Sequence, residues 1–135
     1  MNDRYLYRAK RLDDGKWVIG YYQKRFNELE NEEHYIFSTK NYAVWEYARI
    51  DPSTICQCTG LKGKNEKMIW ENDVVKGHYY EKGKSHRFIG IVEYVGTSFL
   101  VKGVKQYTGL NRELNGLYSC IGNKFDNPEL LEVGE

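Results

Sequence analysis

Glu71 and Asp73 stand two residues apart, a spacing that turns both carboxylates to one side of an extended chain, where a cleft could use them as acid and base. The surrounding sequence points elsewhere. Asp73 opens an apolar run after a turn, so its carboxylate is expected to take a neighbouring backbone amide while Glu71 is solvated. Cys56 and Cys58 are also two apart and could present two thiolates to a metal from one strand face. A zinc site needs two more ligands, and His34, His78 and His86 show no paired spacing with each other or with Cys120. The three cysteines therefore read as thiols of a reducing compartment, small and buried, with no disulfide framework. No nucleophile elbow, catalytic triad, Walker loop or dinucleotide fingerprint occurs, and the GLKGK run from Gly60 to Lys64 lacks the gap and terminal hydroxyl of a phosphate loop. The expectation is a protein with no catalytic residue, no metal and no cofactor, which is to say not an enzyme.

A different chemistry is written between Val74 and Arg112. Seven cations, Lys76, Lys82, Lys84, Arg87, Lys102, Lys105 and Arg112, face only Glu81 and Glu93, a local balance of 7 − 2 = +5. Tyr79, Tyr80, Phe88, Tyr94, Phe99 and Tyr107 interleave with them. Small barrels that hold single strands combine such cations with aromatic stacking platforms. Lys76, Tyr79, Tyr80, Lys82, Lys84, Arg87, Lys102 and Lys105 are thus candidate nucleic-acid contacts, against the plainer alternative of a solvated face over an aromatic core.

Strands joined by glycine turns must position these residues. The 135-residue chain has a net charge of +1, 15% aromatic residues, 13 glycines and only 2 prolines, which suits short strands and one compact domain or two small subdomains. No apolar span or signal-peptide core is present, so the chain reads as soluble and cytoplasmic, without a membrane partner. Alternation predicts strands at Arg4 to Lys10, Trp17 to Tyr22, His34 to Thr39, Tyr42 to Ile50, Asn72 to Tyr80, His86 to Val95, Ser98 to Val104 and Leu117 to Gly122. Lys24 to Glu33 reads as an exposed, mobile connection, and Asn111 to Leu114 as a single helical or 3-10 turn. Asn127 before Pro128, with Glu129 behind it, predicts the cap of a short terminal helix. Aromatics on both faces of the N-terminal strands, such as Tyr5 and Tyr7 opposing Leu6, suggest that one face meets a second copy of the chain.

The stretch TICQCTGLKGKNEKMIWENDVV, Thr54 to Val75, carries the most information. It resembles the signature of the YopX family of phage and prophage proteins, roughly T-I-x-Q-x-T-G-L-x-D-K-N-G-K-x-I-Y-E-G-D-I-V. The matching residues include Thr54, Ile55, Gln57, Thr59, Gly60, Leu61, Lys64, Asn65, Ile69, Glu71, Asp73 and Val75. The ending from Ile121 to Leu131 is similar to the family's I-G-N-I-Y-E-N-P-E-L-L, and RYLYRAKRLDDGKWVIGYY to its opening. Gly63 stands at a usual Asp, Glu66 and Asn72 at usual glycines and Trp70 at a usual Tyr. The resemblance implies no established activity, and a fold with an N-terminal α+β portion used in self-association followed by an SH3-like barrel.

The resulting expectation is a mainly β (α+β) protein in three parts. Residues 1–53 form a β-rich oligomerisation portion, 54–72 the signature linker, and 73–135 an SH3-like barrel with a short C-terminal helix. Gly60, Asn65 and Asp73 are expected to be structural. The partners implied are a second copy of the chain and nucleic acid, or alternatively a host or phage protein bound by an adaptor in the bacterial cytoplasm.

Overall fold

The computed structural model describes residues 5–40 and 44–132, and of Thr39, Lys40, Val44 and Trp45 the backbone alone. The expectations for Arg4 and for Tyr42 lie outside the described residues. The chain is mainly β and divides into two compact units, residues 1–58 and 59–135.

In the first unit, β1 (Tyr7–Lys10), β2 (Trp17–Phe26), β3 (Glu32–Lys40) and β4 (Val44–Arg49) follow one another as antiparallel hairpins, and β5 (Cys56–Lys62) begins beside β1. The sheet curls until Arg11 bridges Ile50, where the Leu12 amide donates to the Arg49 carbonyl at 3.0 Å. Alternation then sends Ala9, Ile36 and Ile50 to the concave side as a small core, packed by Tyr7, Val18, Tyr22 and Ile55. Half of the polar segment expected to be an exposed, mobile connection is strand. β2 runs on to Phe26 and β3 starts at Glu32, because Lys24 opposite His34 and Arg25 opposite Glu33 supply cross-strand charge and polar contacts. Only residues 27–31 turn, and the Asn27 side chain accepts the amides of Leu29 and Asn31 at 2.9 and 3.0 Å. The described part of this unit holds strands and 3-10 turns, so the α+β character implied for it is replaced by β structure.

In the second unit, β6 (Met68–Trp70) lies beside β5, and a five-stranded antiparallel sheet follows. Its strands are β7 (Asp73–Glu81), β8 (Lys84–Val95), β9 (Ser98–Gly103), β10 (Asn111–Glu113) and β11 (Ser119–Asn123), in the order β10-β9-β8-β7-β11. Among the described residues the pairing is open at both ends and does not close a barrel. Asn111–Glu113, expected as a turn, is a strand because it completes hydrogen bonding along the edge of β9. Ile69, Val75, Phe88, Val92, Val101 and Tyr118 form the core on the inner face of the sheet. The terminal segment makes one 3-10 turn, Pro128–Leu130, and the Asn127 side chain accepts the Asn123 amide at 3.2 Å instead of capping it.

The signature residues shape the entry to this sheet. Gly60 adopts φ +81°, a left-handed conformation inside β5 that a side chain would strain. The Asn65 side chain accepts the Lys67 amide at 3.4 Å across the β5–β6 turn. Gly63 replaces an Asp of the similar motif for a steric reason, since a Cβ there would meet the Tyr118 carbonyl at 2.6 Å. The Asp73 carboxylate, 1% exposed, accepts the Trp70 amide at 2.8 Å. Glu66 and Asn72 hold φ +66° and +70°, the left-handed region that the motif's usual glycines enter without strain. Glu66→Gly is therefore expected to raise unfolding stability by about 0.5–1 kcal/mol in urea titration, the relief of left-handed strain outweighing glycine's entropy. Asp73→Ala is expected to lower it by about 2 kcal/mol, because the buried Trp70 amide loses its acceptor.

Candidate nucleic-acid interface

β7 shows the alternation that organises the surface: Val75 and Gly77 are buried, while Lys76, His78 and Tyr80 are exposed on the opposite face. Lys82 and Gly83 both take positive φ, 52° and 76°, as the two-residue turn of a tight hairpin requires, and the turn sets β8 in register. Tyr80 then pairs with Ser85, His78 with Arg87 and Lys76 with Ile89. On the other side Lys76 pairs with Ser119 of β11.

Lys64 joins these residues from the β5–β6 turn. Its amide donates to the Tyr118 carbonyl at 2.8 Å, which fixes the turn against the start of β11. Two shallow depressions result. One, of about 390 Å³, is lined by Lys64, His78, Tyr80, Ser85 and Leu117. The other, of about 310 Å³, shares Lys64, His78 and Leu117 and adds Lys76, Gly77, Ser119 and Ile121. No carboxylate is among the described residues that line them. Tyr80 is 78% exposed and offers a ring face beside the cations.

The predicted contact residues do not all meet here. Lys76 and Tyr80 do, and Arg87 shares their face, with its Nε donating to the Tyr107 hydroxyl at 2.9 Å. Tyr79 points to the inner face, where its ring stacks on His86 at 5.1 Å, meets Phe88 edge-on at 5.9 Å and lies under the Arg112 guanidinium at 4.1 Å. That cation also faces the buried Tyr118 hydroxyl, whose pKa burial raises and Arg112 partly lowers. Lys82 stands on the hairpin turn, and Lys84 pairs with Glu81 on the side of Tyr79. Lys102 is on the outer face but bonded to Glu93 at 3.2 Å, and Lys105 lies in the 3-10 turn beyond β9. Lys64 and His78 were not foreseen. His78 could have been found, because the alternation that exposes Lys76 and Tyr80 exposes it too, whereas Lys64 arrives only through the contact with Tyr118.

Cys56 and Cys58 are fully buried, and the Cys56 thiol donates to the Thr54 carbonyl at 3.3 Å. Among the described residues no group of three or more His, Cys, Asp or Glu side chains could hold a metal ion, and no helix is long and apolar enough to cross a membrane.

The profile of the YopX protein family matches residues 6–132 of the chain. None of the curated proteins matches it. Among solved structures, the chain is similar to protein EF1440 from Enterococcus faecalis, with a TM-score of 0.51 and 21% identity over 93% of this chain and 96% of that one. At that identity the likeness is one of fold.

The two adjacent tyrosines separate experimentally. Tyr80→Ala is expected to change stability by less than about 0.5 kcal/mol, as for an exposed side chain. Tyr79→Ala is expected to cost about 2 kcal/mol, less than a fully buried aromatic, in the same denaturant titration.

Proposed function

The chain belongs to the YopX protein family, and on that footing we propose that it is a non-enzymatic, oligomeric binding module of phage or prophage origin. In this reading the second unit, built on an SH3-like plan, holds single-stranded nucleic acid on the outer face of β7 and β8 in the cytoplasm of a bacterial host. The observation that supports it is a pair of adjoining depressions that share Lys64 and His78, one lined also by the exposed Tyr80 and the other by Lys76, with no carboxylate among the described lining residues. Cations there neutralise phosphates, and an exposed tyrosine stacks on a base of any sequence.

Self-association belongs to the same reading. Ahead of the Arg49–Leu12 bond, β4 is the edge of the first sheet, and an edge strand can pair with the same strand of a second copy. A protein-directed adaptor is the second reading, favoured by one feature: Leu117, 72% exposed, precedes the edge strand β11 and Ile121, 41% exposed, lies on it, as a peptide added to the sheet would require.

Fluorescence anisotropy with a labelled single-stranded oligonucleotide tests the first reading. Binding should weaken with salt, and the Lys64→Ala/Lys76→Ala double variant should make the log–log slope shallower by about 1.4, two contacts at roughly 0.7 each. Folded protein that ignores single-stranded DNA, duplex DNA and RNA at low salt would leave the adaptor as the better account. Light scattering at micromolar concentration is expected to report more than one chain per particle, and a monomer mass would remove self-association.

A further inference from the structure

The first unit carries a second surface with related chemistry. Register sets Tyr21, Phe37 and Tyr47 directly opposite one another on β2, β3 and β4, on the face turned away from the Ala9, Ile36 and Ile50 core. Their ring centroids are 5.9 and 5.6 Å apart, a row that crosses three strands. Tyr47 is 52% exposed and Ile19, on the same face of β2, 49%. The outer face of an antiparallel sheet is ordinarily polar, so folding alone does not call for this row.

Cations accompany the aromatics. The Arg25 guanidinium lies 4.6 Å over Tyr47 and 5.4 Å over Tyr35, and Arg49 occupies the position opposite Tyr35. By strand pairing Arg8, Lys10, Arg25 and Arg49 all fall on this face, against Glu33 as the one carboxylate among the described strand residues there. That carboxylate is engaged by the Tyr35 hydroxyl at 2.8 Å, the Asn27 amide at 3.3 Å and Arg49 at 3.6 Å. The Tyr35 hydrogen bond, followed by that of Asn27, holds Glu33 below its ordinary pKa, so it stays an anion tied to its neighbours.

Two kinds of occupant suit a row of rings. A second copy docking through this face about a two-fold axis would set one net positive face against an identical one, which disfavours the contact. A single strand of nucleic acid brings the complementary charge with its phosphates and a flat base for each ring, as on other antiparallel sheets that read unpaired bases. We propose that the outer face of β2, β3 and β4 is a second platform for single-stranded nucleic acid, with Phe37 and Tyr47 stacking on bases and Arg25 and Arg49 meeting phosphates. It shares the ligand class of the β7–β8 reading but none of its residues.

The test starts from the full chain carrying Lys64→Ala/Lys76→Ala/Tyr80→Ala, which removes the stacking ring and both lysine contacts of the other surface, and a fluorescein-labelled oligothymidylate at low salt. Residual binding is expected, weakened about 5- to 100-fold by Tyr47→Ala and nearly unchanged by Tyr47→Phe, which keeps the ring. Arg25→Ala should make the salt slope shallower by about 0.7. Ultraviolet cross-linking of the same complex should place the adduct on the peptide that contains Tyr47. No residual binding, or residual affinity unchanged in folded Tyr47→Ala and Arg25→Ala chains, would overturn the proposal. So would a fall in particle mass on Tyr47→Ala with no cross-link at that peptide, which would assign the face to a second copy. Should Tyr47→Ala fail to fold, Arg25→Ala and the cross-link decide alone. An unchanged affinity in the Lys64→Ala/Lys76→Ala/Tyr80→Ala chain would count against the β7–β8 surface and leave this one standing.

Discussion

The peptide units of Asn72 are held from two sides. Its amide donates to the Val92 carbonyl of β8 at 2.8 Å, and its own carbonyl accepts the Lys124 amide at 3.0 Å. Its left-handed φ of +70° and the buried bond from the Trp70 amide to Asp73 turn the chain from β6 into β7 at a fixed residue. Everything on β7 follows from that start. Because side chains alternate, a slip of one residue would bury Lys76, His78 and Tyr80 and expose Val75, Gly77 and Tyr79. The same junction explains why two distant stretches of sequence carry the family resemblance. The C-terminal stretch grips Asn72 through Lys124, and Asn123 braces that grip by accepting the Phe125 and Asp126 amides at 2.9 Å each while donating to the Asp126 carboxylate at 3.1 Å.

How far the fold could be read depended on whether its causes were local. The β7–β8 hairpin was legible because Lys82 and Gly83 break two alternating runs. The extensions of β2 and β3 were not, since Gln23 to Arg25 and Glu32 to His34 are polar on both faces and gain their order from each other across the sheet. Asn111 to Glu113 is three polar residues whose strand state comes from β9 alone. Within the candidate site, sequence alternation places Tyr79 and Tyr80 on opposite faces without saying which is buried. The deciding contact is non-local: the Tyr118 ring lies so close over Gly77 that a Cβ there would meet it at 2.6 Å. That makes the Gly77 side the inner face, and Tyr79, two residues on, goes with it.

Charge shows the same dependence on position. The segment from Val74 to Arg112 counts +5 along the chain, but the structure distributes its cations among different neighbours. Lys102 is paired with Glu93, Arg87 is tied to Tyr107, and Arg112 is drawn to the inner face over Tyr79. Exposed pairs and hydrogen bonds of this kind contribute little to stability, yet they cancel or redirect the field a ligand would meet. Lys64, which lies outside the basic segment in sequence, takes its place beside Lys76 because its amide is bonded to Tyr118. A near-neutral chain can thus present a local positive surface without being basic overall, the sign at each face being set by which carboxylates the strand register brings within reach.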